Sequence, residues 1–216
     1  NITLTTLTTL TAWAFWRATS GQWSVVSGQL TRSSLKWSAL ILPGVLLGLT
    51  VYTYQPSRAA PLIYLVFMGL LFIRQRAIIT RNWRAVSVFF GAAALIALPL
   101  MIFLLTHPQA ETQRAFQTEP LRALLSGNIQ PALETAVATL KMFTVEGAGD
   151  PQILYNISGR PIFIGSGSLL FYLGLIVGVW RWKKPEYTFM LIWLGVTLLP
   201  NMLTAPAPFF YRAIAS

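Results

Sequence analysis

Six runs of residues without a charged side chain dominate this sequence and restrict what it can fold into. The run at 85–106 is 22 residues long, and about 20 apolar residues in a helix are enough to cross the hydrocarbon core of a bilayer. The chain is 55% hydrophobic and 10% charged, which is too apolar for an ordinary soluble domain. The sequence therefore predicts an all-α fold, a polytopic transmembrane helical bundle. The six predicted spans are 2–16, 37–54, 59–73, 85–106, 162–180 and 187–205.

Basic residues are concentrated in three connectors between these runs. Connector 17–36 has three, connector 74–84 has four and connector 181–186 has three, whereas loop 107–161 balances four basic residues with five acidic ones. Cytoplasmic connectors carry the excess of Lys and Arg, and alternate connectors share a side of the membrane. We therefore expect the three basic connectors to be cytoplasmic and loop 107–161 to be extracytoplasmic, in the plasma (cell inner) membrane. The net charge of +10 then indicates membrane anchoring, not nucleic-acid binding.

Loop 107–161 is the one long polar insertion, and it divides the chain into three predicted parts. Residues 1–106 hold four spans with short connectors, and 162–216 hold two spans and an outer C-terminal segment. Within the loop, Thr118-Glu119-Pro120 and Gly127 predict the start and the end of a short helix. The Gly- and Pro-rich remainder, 145–161, predicts irregular turns.

A second helix is predicted in the loop from residue 131 to about residue 144. Its apolar residues are spaced to form one stripe, which is typical of an amphipathic helix. The stripe consists of Leu133, Ala136, Val137, Leu140 and Phe143. We expect this helix to lie along the membrane surface or on top of the bundle.

The chain contains no Cys and a single His, His107. This sequence therefore provides no disulfide framework, no thiolate nucleophile and no His-rich metal site. The first residues resemble the middle of an apolar segment, so we expect the sequence to be a fragment of a longer protein that lacks residues at one end or both.

Small residues one helical turn apart occur in two of the runs, at Gly44 and Gly48 and again at Gly174 and Gly178. Such pairs allow close approach of two helices. We expect internal packing at these positions, and dimerisation is the alternative.

Three charged residues on the predicted outer side are candidates for chemistry: Arg58, Asp150 and Arg212. A guanidinium at the mouth of a helical bundle can bind a phosphate through two parallel hydrogen bonds. A contact with lipid headgroups or a salt bridge explains the same residues equally well, and the residues alone do not decide between these interpretations.

Several segments resemble the GT-C glycosyltransferases of the dolichyl-phosphate-mannose protein mannosyltransferase type and their bacterial relatives. The hairpin from Gly48 through Tyr52-Thr53-Tyr54 and Arg58 to Pro61 is similar to that family's Gly-x-x-x-Tyr-Thr-Tyr-x-x-x-Arg-x-x-Pro element. The loop residues Met142-Phe143, Gly149-Asp150-Pro151 and Asn156-Ile-Ser-Gly159-Arg160-Pro161 resemble its last large outer loop. Residues 199–214, with Ala207-Pro208-Phe-Phe-Tyr-Arg212, resemble the segment before its final spans. The matches follow the family's order from about residue 40 to residue 216.

The resemblance implies a membrane glycosyltransferase that moves a sugar from a polyprenyl-phosphate donor to an acceptor hydroxyl at the extracytoplasmic face. It implies Arg58 and Arg212 as phosphate contacts, and Asp150 and Asn156 as residues that shape the substrate cavity. The family's catalytic Asp lies in a first outer loop with which no part of this sequence aligns, so no catalytic residue is expected here. A divalent metal accompanies some relatives, but no ligand cluster predicts a metal site, and the cofactor and the acceptor stay open.

The competing hypothesis is a non-catalytic subunit that has the GT-C fold and packs in a larger membrane complex. Its basis is the two pairs of small residues and three positions, Leu154, Tyr155 and Phe209, where bacterial members often have basic residues or His. A transporter is less favoured, because transport usually requires ionisable groups within the spans and these six have none.

Overall fold

The chain is all-helical where the structure describes it. The structure, a computed structural model, describes residues 2–23, 35–53, 55–107, 119–151, 157–204, 207–208 and 210, and none of these residues forms a strand. The chain divides into two compact units, Asn1–Thr106 and His107–Ser216. The predicted further boundary between residues 161 and 162 lies inside the second unit and stays a prediction.

The described helices of the first unit are five α-helices and two short 3₁₀ turns. The 3₁₀ turns are Trp37–Leu40 and Gln55–Ala59. The α-helices are α1 (Ile2–Trp23), α2 (Ile41–Thr50), α3 (Ala60–Arg74), α4 (Arg76–Arg81) and α5 (Trp83–Thr106).

The second unit has four described α-helices, each at a position that the sequence predicts. They are α6 (Glu119–Leu125), α7 (Gln130–Lys141), α8 (Ser166–Trp180) and α9 (Pro185–Met202). The short helix predicted between Thr118 and Gly127 is confirmed by α6, and Gly127 follows it with φ +89°. The second loop helix ends three residues before its predicted end, because the backbone turns at Met142.

Each of the six predicted spans coincides with helical structure, and two helical stretches are long and apolar enough to cross a membrane. These two are Ser57–Arg74, with a mean hydropathy of 1.5, and Trp83–Thr106, with 2.6. Trp37–Thr50 and Ser166–Trp180 are shorter apolar helices. The described residues therefore support membrane association, while a bundle of six spans stays a prediction.

An aromatic cluster joins three helices of the first unit. Phe15 of α1 lies 5.1 Å from Tyr64 of α3 and 5.4 Å from Phe89 of α5, measured between ring centroids. Tyr64 and Phe89 are 5.2 Å apart, and all three side chains are buried. Tilted and edge-on ring pairs at these distances stabilise a core beyond the burial of their area.

Helix α2 packs against α5 through the small residues at Gly44 and Gly48. A Cβ atom on Gly44 would lie 2.5 Å from the carbonyl oxygen of Phe89, and one on Gly48 would lie 2.7 Å from that of Ala93. Neither distance is possible for a real Cβ, so the two backbones approach as closely as glycine permits. The prediction of internal packing is confirmed for this pair. In the second pair, a Cβ on Gly178 would lie 3.4 Å from the side chain of Leu191, an ordinary contact, and a Cβ on Gly174 would meet no heavy atom outside its own helix within 4 Å.

Replacing Gly48 with Val is expected to destabilise the first unit by roughly 1–3 kcal/mol or more, because the new methyl groups must push α2 away from α5. Gly91→Val on α5 is the matched control, since a Cβ there meets nothing within 4 Å and the substitution makes the same change in helix propensity. The thermal unfolding midpoint of both variants in detergent measures the difference. Equal midpoints would show that α2 and α5 do not pack at Gly48.

The core of the second unit is built from the ends of its helices and the segments between them. Met142, Phe143 and Leu198 are buried at its centre. Phe143, Phe163 and Phe171 stack with nearly parallel rings, and the Phe143 and Phe171 centroids are 4.9 Å apart. This core therefore holds the start of α8 and the end of α7 together.

Candidate functional site

The loop between α7 and α8 is closed at its base by backbone hydrogen bonds. The N–H of Ile162 donates to the carbonyl of Met142 at 3.0 Å, and the N–H of Phe163 donates to that of Phe143 at 2.8 Å. Both acceptors belong to the buried core of the second unit. The loop from 144 to 161 is thus anchored to the core at both ends.

Within this loop, three glycines bring two backbone segments into direct contact. The N–H groups of Gly147 and Gly149 both donate to the carbonyl of Gly159, at 2.9 and 3.1 Å. Gly147 and Gly159 have φ of +79° and +75°, a region that other residues rarely adopt. A Cβ on Gly149 would lie 2.0 Å from the carbonyl oxygen of Arg160. The prediction of an irregular, turn-rich segment is confirmed for its described residues.

These contacts determine the position of Asp150. Its side chain is fully buried, and its carbonyl accepts the N–H of Gly159 at 3.2 Å. Its Oδ2 accepts the backbone N–H of Phe210 at 2.8 Å. A buried carboxylate needs such donors, because burial without them costs several kcal/mol. Asp150 therefore ties the loop to the C-terminal segment.

The C-terminal segment is also held by the core. Phe210 packs against the Met142, Phe143 and Leu198 cluster, and the buried Asn201 donates from Nδ2 to the sulfur of Met142 at 3.5 Å. Pro208 follows a cis peptide bond with Ala207. The described parts of the loop and of the C-terminal segment thus form one packed structure within the second unit.

An open groove of about 570 Å³ lies beside this structure. One wall is α7, and the other consists of Gly147, Ala148, Gly149, Pro151 and Pro208. The wall formed by α7 carries two charged side chains, Glu134 and Lys141, beside Leu133, Val137 and Ala138. The volume is within the range of small-molecule sites, and its polar groups are few, as is usual in such sites.

Arg58 lies in the first unit, in the 3₁₀ turn Gln55–Ala59 that joins α2 to α3. Ser57 beside it is buried and donates from Oγ to the carbonyl of Thr50 at 2.6 Å. Thr53 donates to the same carbonyl at 2.7 Å, and Tyr52 donates from its hydroxyl to the carbonyl of Ile96 on α5 at 2.7 Å. The partly buried Arg58 therefore extends from a turn that is fixed to both α2 and α5.

The four predicted substrate contacts are thus only partly described. Arg58 belongs to the first unit and Asp150 to the second, and Asn156 and Arg212 lie outside the described residues. A shared cavity around all four stays a prediction. Asp150 has a structural partner that the sequence did not reveal, the N–H of Phe210.

Glu134 and Lys141 in the groove were not predicted as site residues. Their spacing of seven positions places both on one side of α7, which is a detectable pattern. Their participation in a groove could not be deduced, because its second wall comes from the loop and from Pro208. Among the described residues, no group of three or more His, Asp or Glu side chains could hold a metal ion.

The described residues form helices, two of which are long and apolar enough to cross a membrane, and a loop that is hydrogen-bonded to Phe210 of the C-terminal segment. No protein-family model, curated protein or solved structure matches the chain.

Proposed function

We propose that this chain belongs to a membrane glycosyltransferase of the GT-C type, which transfers a sugar from polyprenyl phosphate to an acceptor hydroxyl at the extracytoplasmic face. The observation that carries the proposal is the hydrogen bond between Asp150 Oδ2 and the N–H of Phe210. It connects two of the segments that resemble the family, Gly149-Asp150-Pro151 and the segment around Pro208. Two segments that resemble the family, and that are far apart in the sequence, are therefore in contact.

The proposal includes six membrane spans, formed by α1, α2 with its preceding 3₁₀ turn, α3, α5, α8 and α9. Helix α5 supports it most strongly, since only 6% of its most apolar 18-residue stretch is buried. Its exposed residues include Leu95 at 70% and Leu105 at 80%. An exposed apolar surface of this extent requires a partner, and lipid satisfies a helix that is apolar on all sides.

Arginines over aromatic rings support the placement of the basic connectors at a membrane–water interface, and the excess of Lys and Arg in these connectors supports the cytoplasmic side. Arg17 lies over Trp13 at 5.2 Å, Arg84 over Trp83 at 5.7 Å and Arg181 over Tyr187 at 5.9 Å. At least one such pair occurs at each of the three connectors, and connector 74–84 has a second, Arg76 over Phe72 at 5.5 Å. Aromatic and basic residues together are typical of membrane–water interfaces. In this topology, loop 107–161, Arg58 and Arg212 are extracytoplasmic.

The chemistry assigned to this chain is recognition of the donor phosphate. The guanidinium of Arg58 binds the phosphate bidentately and stabilises the negative charge that develops as the sugar leaves. The resemblance implies a phosphate contact for Arg212 as well. Asp150 keeps the segment before Arg212 in place, and Asn156 shapes the cavity. The general base that deprotonates the acceptor hydroxyl comes from a family loop absent from this sequence, and attack opposite the leaving phosphate inverts the anomeric centre.

The test is an assay of the full-length protein in liposomes with radiolabelled polyprenyl-phosphate sugars, in which both donor consumption and product formation are followed. Consumption of a donor by the wild-type protein supports the enzyme. Absence of both donor consumption and product formation for every donor tested would refute the enzyme and favour the non-catalytic subunit.

Asp150 variants test the observation that carries the proposal. Asp150→Ala removes the acceptor of a buried N–H, which costs about 1–3 kcal/mol, and transfer is expected to fall as the Phe210 segment shifts. Asp150→Asn retains an oxygen acceptor, so it is expected to lose less stability and less sugar transfer than Asp150→Ala. Glu146→Ala, an exposed acid in the same loop, is the matched control and should behave as wild type. If Asp150→Ala matched this control in stability and transfer, the contact with Phe210 would have no functional role.

A further inference from the structure

Helix α7 presents its apolar stripe outward. Leu133 is 59% exposed, Val137 is 40% and Leu140 is 55%, whereas Phe143, the last residue of the predicted stripe, is buried in the core. An amphipathic helix of a water-soluble domain would turn this stripe inward. The exposed stripe therefore requires a partner outside the second unit.

The opposite face of α7 is already packed, and it is the face that carries hydroxyl groups. Thr135 donates from Oγ1 to the carbonyl of Met202 at the end of α9, and Thr139 donates to the carbonyl of Thr135 at 2.8 Å. Thr139 and Met142 are fully buried. Rotation of α7 to bury the stripe would break the bond from Thr135 to Met202 and expose the buried Thr139 and Met142, so the exposed stripe belongs to the folded state.

The exposed apolar surface of α8 begins close to the end of α7. The hydrogen bonds from Ile162 to Met142 and from Phe163 to Phe143 place the end of α7 beside the start of α8. Ile164 between them is 48% exposed, and Leu169, Leu170 and Ile176 on α8 are each more than 60% exposed. The same partner can therefore cover both α8 and α7.

The length of α8 indicates that the partner of this exposed apolar surface is a lipid bilayer. Its 15 residues cover roughly 22 Å at about 1.5 Å per residue, which is less than the ~30 Å of a hydrocarbon core. Residues 162–164 and the stripe of α7 extend its apolar surface at the Gly165 end.

Polar side chains occur along one border of the α7 stripe. Gln130 donates to Glu134 at 3.0 Å, and Lys141 follows Glu134 two helical turns later. An apolar stripe with a polar border fits the boundary between acyl chains and headgroups.

We propose that α7 is an interfacial helix that lies in the surface of the phospholipid bilayer, at the level reached by the Gly165 end of α8. Leu133, Val137 and Leu140 contact acyl chains, and the border of Gln130, Glu134 and Lys141 lies among the headgroups. The groove beside α7 then opens at the membrane surface. This proposal does not depend on sugar transfer, and it holds for an enzyme and for a non-catalytic subunit alike.

The absence of Cys from this sequence makes a direct test practical. Single variants Leu133→Cys, Leu140→Cys and Glu134→Cys in the full-length protein, with any cysteine elsewhere replaced, are labelled with an environment-sensitive fluorophore and reconstituted in phosphatidylcholine vesicles. Each label is then exposed to nitroxide quenchers on lipid acyl chains and to iodide in water. Glu134 serves as the control because it is exposed on the same helix but lies on the polar border.

Labels at Leu133 and Leu140 are expected to be quenched severalfold more by the lipid nitroxides than the label at Glu134, and severalfold less by iodide. Strong iodide quenching at all three positions would overturn the proposal, because the stripe would then face water. Protection of Leu133 and Leu140 from both quenchers would overturn it too, because protein would then cover the stripe. A lipid-facing stripe in a protein that consumes no sugar donor would refute the glycosyltransferase and leave this proposal intact.

Discussion

Replacing Arg58 with Ala in the full-length protein is expected to lower sugar transfer by on the order of a hundredfold or more, because a charged group that binds the leaving phosphate contributes most in the transition state. The turn that carries Arg58 is fixed to Thr50 through Ser57, and Tyr52, which precedes the turn, donates to Ile96 on α5. The rate of donor consumption in liposomes, at donor concentrations below and above KM, measures the effect.

Two further variants separate the role of the guanidinium from an effect on folding. Arg58→Lys keeps the charge but loses the planar pair of donors, so an intermediate rate is expected. Arg76→Ala is the control, because Arg76 is exposed, lies 5.5 Å from the ring of Phe72 and belongs to a predicted cytoplasmic connector. Full transfer by a stable Arg58→Ala protein would remove Arg58 from the site and leave the membrane topology unaffected.

Replacing Gly149 with Ala is expected to disrupt the loop between α7 and α8. The added Cβ would lie 2.0 Å from the carbonyl oxygen of Arg160 and 2.9 Å from the carbonyl carbon of Gly159. Both are backbone atoms, so no side-chain rotation can relieve the overlap, and the hydrogen bond from Gly149 to Gly159 must break. We expect a loss of at least about 4 kcal/mol in the free energy of unfolding of the second unit, which is exceptional for one methyl group.

Thermal unfolding in detergent and the rate of proteolysis within 144–161 both measure this loss. Gly174→Ala is the matched control, since a Cβ there meets no heavy atom within 4 Å and alanine favours helix α8. Since Asp150 follows directly, Gly149→Ala should also lower sugar transfer. An unchanged midpoint together with unchanged proteolysis would contradict the close contact between Gly149 and Arg160.

The helices of this protein could be predicted from the sequence because their determinants are local. A run such as 85–106 has no charge, so its backbone groups must pair within one helix wherever it is buried or in lipid, and α5 continues through its single proline, Pro99. The end of α6 near Gly127 follows from a residue that tolerates positive φ. The close approach at Gly44 and Gly48 was likewise indicated, because only small residues permit it.

The candidate site could be predicted only in part. The run Gly149-Asp150-Pro151 identified the loop, and the resemblance assigned Asp150 to a cavity, but neither predicted that the side chain is buried. That depends on Phe210, which is 60 residues away in the sequence and donates the N–H that the carboxylate accepts. Glu134 and Lys141 share a side of α7 in any helix, but the groove they line exists only because the loop and Pro208 form its other wall.

Helix α7 shows most clearly where local pattern and tertiary structure differ. The spacing of Leu133, Val137 and Leu140 determined that this segment forms an amphipathic helix, because a period near 3.6 residues places them on one face. Which face is buried was decided by contacts distant in sequence: Thr135 with Met202, and Met142 and Phe143 with residues 162–163. Sequence periodicity specifies the stripe, whereas only the packed neighbours specify its direction, since the hydrogen bond from Thr135 to Met202 and the burial of Met142 hold the opposite face inward.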